Sequence, residues 1–161
     1  MNGVDDRDRV RYRRAHLADL ESIERLENEV FSDTTYQYTI LRQLFDLHGK
    51  QWLIAELDGE VIGHALMLEK AGRALLASLA VTAKCRSQGF GRSLLVKILE
   101  ICVEANIDVV ELTVRPTNEP ARKLFSSLGF EVITHDDQYF GPDHPRFVME
   151  CVLAQWSGRE G

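Results

Sequence analysis

Residues 52–67 constrain this chain most. Trp52-Leu53-Ile54-Ala55-Glu56-Leu57 and Glu60-Val61-Ile62-Gly63-His64-Ala65-Leu66-Met67 are apolar runs joined by Asp58-Gly59, and Asp-Gly supplies the positive φ angles of a two-residue turn. An antiparallel hairpin follows. Around it the periodicity alternates between strand and helix. Val10–Arg13 reads as a short strand, and Leu17, Leu20, Ile23, Leu26, Glu27 and Val30 keep the spacing of one helical face. Turn formers at 31–35 break that helix, and Ile40, Leu41, Leu44, Phe45 and Leu47 mark a second one closed by Gly49. Arg73–Val81 is a third apolar run, Gly89–Ala105 a long helix, Asp108–Val114 a strand and Asn118–Leu128 a helix ended by Gly129. Phe130–Thr134 and Arg146–Leu153 complete the strands. This order predicts a mixed α/β (α+β) sheet with helices on its faces. Its core is expected to draw on Leu20, Ile23, Ile54, Leu66, Leu79, Leu95, Leu99, Val110 and Leu124.

Composition narrows the function classes. A chain of 161 residues, 45% hydrophobic and 27% charged, suits one domain, here placed at 10–154 between a flexible N-terminal tail, 1–9, and a C-terminal tail, 155–161. With 25 acidic against 19 basic side chains and a net charge of −6, no nucleic-acid partner is expected. Arg7, Arg9, Arg11, Arg13 and Arg14 are diluted by Asp5, Asp6 and Asp8 and read as a solvated start. No apolar run reaches the roughly 20 residues of a membrane helix, and three scattered cysteines, Cys85, Cys102 and Cys151, fit a reduced, cytoplasmic protein. Histidines and cysteines show no metal-ligand spacing, so no metal is expected.

The segment Leu79-Ala80-Val81-Thr82-Ala83-Lys84-Cys85-Arg86-Ser87-Gln88-Gly89-Phe90-Gly91-Arg92-Ser93 runs from a strand end through a polar loop into a helix start. Its glycines permit close backbone approach, and the N–H groups of a first helical turn attract phosphate. An ordinary strand-to-helix turn is the alternative. A P-loop is excluded because no Gly-Lys-Ser/Thr is present, and a dinucleotide fingerprint because Leu94 stands where its third glycine belongs. Cys85, beside Arg86, is a candidate for an activated thiol, though no base is near in sequence.

Arg86-Ser87-Gln88-Gly89-Phe90-Gly91 after Leu79-Ala80-Val81 resembles the acetyl-CoA pyrophosphate loop of the GNAT superfamily of N-acetyltransferases. Val114-Arg115-Pro116-Thr117-Asn118-Glu119-Pro120-Ala121-Arg122-Lys123-Leu124-Phe125-Ser126-Ser127-Leu128-Gly129-Phe130 resembles its second signature. Val114-Arg115-Pro116-Thr117-Asn118 and the late Tyr139-Phe140 before Arg146-Phe147-Val148-Met149 are most similar to enzymes that acetylate protein N-termini, the ribosomal-protein alanine acetyltransferases among them. The resemblance covers 10–153. It implies a mostly antiparallel acyl-CoA N-acyltransferase fold with a splayed central strand pair. Acetyl-CoA is the implied cosubstrate, with CoA as product. Leu79 and Val81 would meet the acetyl and pantetheine groups, with a Leu79 backbone group as oxyanion donor. Arg86, Ser87, Gln88, Gly89, Phe90, Gly91, Arg92 and Ser93 would hold the pyrophosphate. Asn118 would bond the pantetheine arm, or cap its helix, or both, and Phe125 stands where the family usually places a tyrosine near the sulfur.

Amine attack on a thioester needs positioning, donors for the oxyanion and disposal of one proton. Phe125 has no hydroxyl, and Thr113 stands where relatives can carry a glutamate base. An α-amine, with a pKa near about 7.7–8.0, is already partly neutral at pH 7, whereas a lysine near about 10.4 costs roughly 3–4 kcal/mol to deprotonate. The expected acceptor is therefore a protein or peptide N-terminal α-amine, with a small-molecule amine as the alternative and a noncatalytic acyl-CoA sensor as the reading from another class. Candidate proton carriers are Glu111, which is otherwise exposed or ion-paired, and Tyr139, which is also a substrate contact. His64 is expected to be packed or solvated rather than a general base. Phe31, Tyr36 and Tyr38 line a candidate amine site or pack a helical hairpin, and Asp33 binds a cation or caps a helix. A homodimer is left open.

Overall fold

The computed structural model describes residues 5–32 and 34–156. Asp33, the first four residues of the expected N-terminal tail and the last five of the C-terminal tail lie outside the described residues. The elements are α1 (Asp6–Arg9), β1 (Val10–Arg14), α2 (Leu20–Val30), α3 (Tyr38–His48), β2 (Trp52–Leu57), β3 (Glu60–Lys70), β4 (Arg73–Val81), α4 (Phe90–Glu104), β5 (Val109–Val114), α5 (Glu119–Ser127), β6 (Glu131–Asp136) and β7 (Arg146–Val152). The strands form one mixed sheet in the order β1-β2-β3-β4-β5-β7-β6. Two compact units divide the chain, the first Met1–Met67 with Ala77–Ile98, the second Leu68–Leu76 with Leu99–Gly161.

In the first unit β1 pairs antiparallel with β2, and β2 with β3 from Trp52↔Leu66 to Leu57↔Glu60. Asp58 and Gly59 take φ of 50° and 82° at the hairpin turn, as the Asp-Gly pair predicts. Leu20, Ile23, Leu41, Trp52, Ile54, Leu66, Leu94, Leu95 and Ile98 are fully buried here. Gly63 is glycine for a spatial reason: a Cβ there would stand 2.9 Å from the Ala80 carbonyl oxygen and 3.0 Å from a Leu94 methyl, so β3, β4 and α4 close on it. Leu17 departs from the expected helical face. It is exposed in a 3₁₀ turn, Leu17–Asp19, that precedes α2 and is fixed by His16 N–H donating to Asp19 Oδ2 at 2.7 Å.

In the second unit β4 runs parallel to β5 over Arg73↔Val109 to Leu75↔Glu111. The registered pairs end at Leu75↔Glu111. β5 and β6 both pair antiparallel with β7. Val110, Leu112, Phe125, Leu128, Phe130 and Met149 are buried.

Two expected core residues are corrected. Along β4 the buried set is Ala74, Leu76, Ser78 and Ala80, which leaves Leu79 half-buried on the other face; hydropathy favoured Leu79, but the period-two face is chosen by Ser78. On α5 the inward positions are Phe125 and Leu128, and Leu124 is half-buried. Arg13 also departs from the expected solvated start. Its guanidinium donates to Asp19 at 2.7 and 2.9 Å and to Glu56 at 2.9 Å.

Candidate active site

In the first unit, Thr82 N–H donates to the Ile62 carbonyl at 2.8 Å, which ties the end of β4 to β3. A 3₁₀ turn, Ala83–Cys85, follows, and Ser87 and Gly89 take φ of 64° and 85° to redirect the chain into α4. Ser93 N–H makes a first-turn bond to the Gly89 carbonyl at 3.0 Å, so the backbone donors just before it have no intrahelical acceptor. Buried Phe90 anchors this helix start, whereas Arg86 and Ser87 are exposed and Gln88, Gly91, Arg92 and Ser93 half-buried. Arg86 Nε also lies 3.4 Å from the Val81 carbonyl. Leu79 and Val81 are half-buried on the strand leading in.

Glu29, at the end of α2, fastens the start of this loop. It accepts from Ala83 N–H at 2.7 Å and from the Thr82 hydroxyl at 3.0 Å. The Ala83 N–H, then the Thr82 hydroxyl, hold its carboxyl below the usual range. Cys85 has no activation of its thiol: burial pushes its pKa up despite adjacent Lys84. Burial also raises Cys102, to about 12, and Cys151.

A buried polar network lies beneath the hairpin. Trp52 Nε1–H donates to His64 Nδ1 at 3.0 Å, and His64 Nε2 stands 2.7 Å from Glu27 Oε1. The indole donor makes Nδ1 an acceptor, so Nε2 carries the proton and donates it to Glu27. The Ser78 hydroxyl donates to the same carboxylate oxygen, and Glu27 Oε2 has no partner. His64 and Glu27 are fully buried. Sequence reasoning placed Glu27 on the apolar stripe of its helix but did not connect it to His64. A carboxylate on a buried stripe was the available signal.

Of the acceptor candidates, Phe31 caps α2 through its N–H to the Glu27 carbonyl at 2.8 Å, Tyr36 is half-buried and Tyr38 exposed, with Tyr38 N–H on Glu24 Oε2 at 2.5 Å.

In the second unit Asn118 caps α5, its Oδ1 accepting from Ala121 N–H at 3.3 Å. Phe125 is buried and packs on Phe130, ring centroids 5.9 Å apart. Glu111 is half-buried, 3.9 Å from Arg73 Nη2, which also meets Glu150 at 2.8 Å. Thr113 is half-buried opposite Val148. Tyr139 is exposed, edge-on to Phe140 at 4.7 Å. The structure thus keeps Leu79–Ser93 within one unit as a strand end, turn and helix start, and places Glu111 on β5 and Tyr139 on the β6–β7 loop. Among the described residues no group of three histidine, cysteine, aspartate or glutamate side chains is arranged to hold a metal, and no helix is long and apolar enough to cross a membrane.

Several curated proteins resemble this chain. An uncharacterized N-acetyltransferase of Methanocaldococcus jannaschii is 31% identical over 70% of this chain and 72% of its own length. An N-alpha-acetyltransferase of Sulfurisphaera tokodaii is 27% identical over 89% of this chain and 93% of its own, and an L-amino acid N-acetyltransferase of Escherichia coli is 28% identical over 74% and 82%. Among solved structures, Ard1 from Thermoplasma volcanium superposes with a TM-score of 0.83 at 21% identity, covering 89% of this chain and 97% of that one. The NatC complex bound to Gag peptide and CoA gives a TM-score of 0.78 at 18% identity over 89% and 98%. Residues 17–130, from the turn before α2 through the end of α5, match the acetyltransferase (GNAT) family, and the chain belongs to that family.

Proposed function

We propose that this acetyltransferase moves the acetyl group of acetyl-CoA to the α-amine of a protein or peptide N-terminus, by direct attack within a ternary complex. The observation that carries the reading is the run Leu79–Ser93, in which a strand end leads through two positive-φ residues into a helix whose first donors have no intrahelical acceptor. Acetyl-CoA is the cosubstrate, and that run suits its pyrophosphate; in the same unit Leu79 and Val81 would meet the acetyl and pantetheine groups and Phe31, Tyr36 and Tyr38 the acceptor, and of the second unit's residues Asn118 and Phe125 are assigned to the pantetheine arm and Tyr139 to the acceptor. The Leu79 backbone N–H would stabilise the oxyanion. Residues 10–154 would act as one acetyltransferase domain. The S. tokodaii relative, named an N-alpha-acetyltransferase, supports an α-amine acceptor. So does the chemistry. Thr113 and buried Phe125 offer no strong base or acid, and an α-amine needs little help to lose its proton near pH 7. Glu111, held by Arg73, would relay a proton only through water. Three buried free thiols suit a cytoplasmic location.

The E. coli relative, named for L-amino acids, favours a second reading in which the acceptor is a small amine. Measuring CoA release at pH 7 with peptides, amino acids and blocked lysines decides between them. Peptide α-amines should turn over fastest. Faster acetylation of lysine side chains would overturn the α-amine assignment.

A further inference from the structure

Arg146 opens β7 and is 5% exposed, yet among the described residues no carboxylate reaches ion-pair distance of it. Its guanidinium lies 4.8 Å over the Phe140 ring, and Nη1 donates to the Pro145 carbonyl at 2.7 Å. On one side its cross-strand partner is Asp136, whose Oδ1 is turned to Gln138 N–H at 2.9 Å. On the other side the β5–β7 register ends at Val114↔Phe147, so the next residues outward are Arg115 and Arg146 itself. Burial, and then the Arg115 charge, hold the Arg146 pKa below its usual value. A buried guanidinium with no carboxylate at ion-pair distance is unfavourable unless an anion joins it. The geometry suits a planar anion. Phe140 covers one face, Pro145 fixes Nη1, and the Nε–Nη2 edge keeps the fork that matches a carboxylate. The same sheet face then changes sign along β5 and β7, from Glu111 and Glu150 held by Arg73, past Thr113 and Val148, to the arginine pair. The rim is open, because Tyr139 and Phe140 are 37% and 51% exposed.

We propose that Arg146 receives a carboxylate of the acceptor, so that the preferred substrate is an amine that also carries a carboxylate. This rests on the acetyltransferase reading, in which Tyr139 and its loop meet the acceptor. The carboxylate has two sources, the α-carboxylate of a free amino acid or an acidic side chain near a peptide N-terminus, and the chemistry at Arg146 is the same for both.

The test compares matched pairs at saturating acetyl-CoA: a C-terminally amidated peptide beginning with aspartate against one beginning with asparagine, and a free amino acid against its amide. In one pair the carboxylate-bearing member should be preferred by roughly ten- to a hundredfold in kcat/KM, and the pair that shows it names the source. Arg146→Gln should erase the preference through KM without changing the KM for acetyl-CoA, and Arg146→Lys should keep part of it. Equal rates within both wild-type pairs, a preference that survives Arg146→Gln, or a rise only in the KM for acetyl-CoA would overturn the proposal. If no amine is acetylated, the acetyltransferase reading of the loop fails separately. Calorimetric titration of the same pairs into CoA-saturated protein then decides: tighter binding of the carboxylate member that depends on Arg146 upholds the proposal, and equal binding ends it.

Discussion

Buried charge is treated differently in the two units. In the first, buried and half-buried polar groups form sets closed by bonds within the unit, with Glu27 Oε2 left unpartnered: Arg13 with Asp19 and Glu56, and Glu27 with His64, Ser78 and, through the imidazole, Trp52. In the second, Arg146 has a ring, a carbonyl and a neighbouring cation. A closed set joins elements far apart in sequence and holds strand to helix. An open guanidinium holds little together, and its desolvation cost is recovered only when something anionic arrives. The difference separates groups that build the fold from a group kept for a ligand.

The largest expected effect breaks a closed set. Glu27→Ala leaves the His64 Nε2–H and the Ser78 hydroxyl buried without an acceptor, at roughly 1–3 kcal/mol each, so chemical denaturation should show a loss of about 2–5 kcal/mol. Glu27→Gln keeps an acceptor oxygen and should lose less than half of that. A Glu27→Ala protein as stable as wild type but inactive would make the network part of the chemistry and dissolve the comparison. The Arg13 set comes next. Arg13→Met strands two partly buried carboxylates and should lose about 2 kcal/mol, between the exposed and buried limits. This loss depends on pH. Burial alone would raise the Asp19 pKa, but hydrogen bonds from Arg13 and the His16 backbone hold it below the usual value. Its contribution is therefore complete above the ordinary carboxylate pKa of about 4 and is lost as pH falls through the lower folded value. The gap between wild type and Arg13→Met should narrow below about pH 4, and a gap independent of pH would show that Arg13 acts by packing alone.

What could be read from the sequence follows the range of the interactions involved. The hairpin at Asp58-Gly59 and the Asn118 cap are decided within a few residues, and both appear where the local pattern puts them. The Leu79–Ser93 run was legible for the same reason, as a contiguous stretch of strand, turn residues and helix start. The Glu27–His64–Ser78 set was not, because 37 and 51 residues separate Glu27 from its partners and no local pattern records which polar groups meet in a core. Leu79 was misassigned to the core because hydropathy ranks it above Ser78, whereas Ser78 is the inward residue that satisfies Glu27. Arg146 opens a strand run in the sequence, and nothing local assigns it a role. Its meaning lies in what fails to stand beside it, which only the folded chain reveals.

The smallest expected effect is the most informative. Arg146→Met removes a buried charge without leaving a buried carboxylate unpaired, since Asp136 is exposed and already accepts from Gln138. It also removes the repulsion from Arg115. Against these gains stand one hydrogen bond to Pro145 and the stack on Phe140, worth about 1 kcal/mol each, and the methionine side chain keeps part of the packing. The terms nearly cancel, so unfolding free energy should change by no more than about 1 kcal/mol, in either direction. A loss of 3 kcal/mol or more would place Arg146 with Arg13 among the fold-building charges and remove the reason to look for a carboxylate beside it. Near-wild-type stability together with lost discrimination between carboxylate and amide acceptors would show that this cation is retained against the interest of the fold, for what it binds.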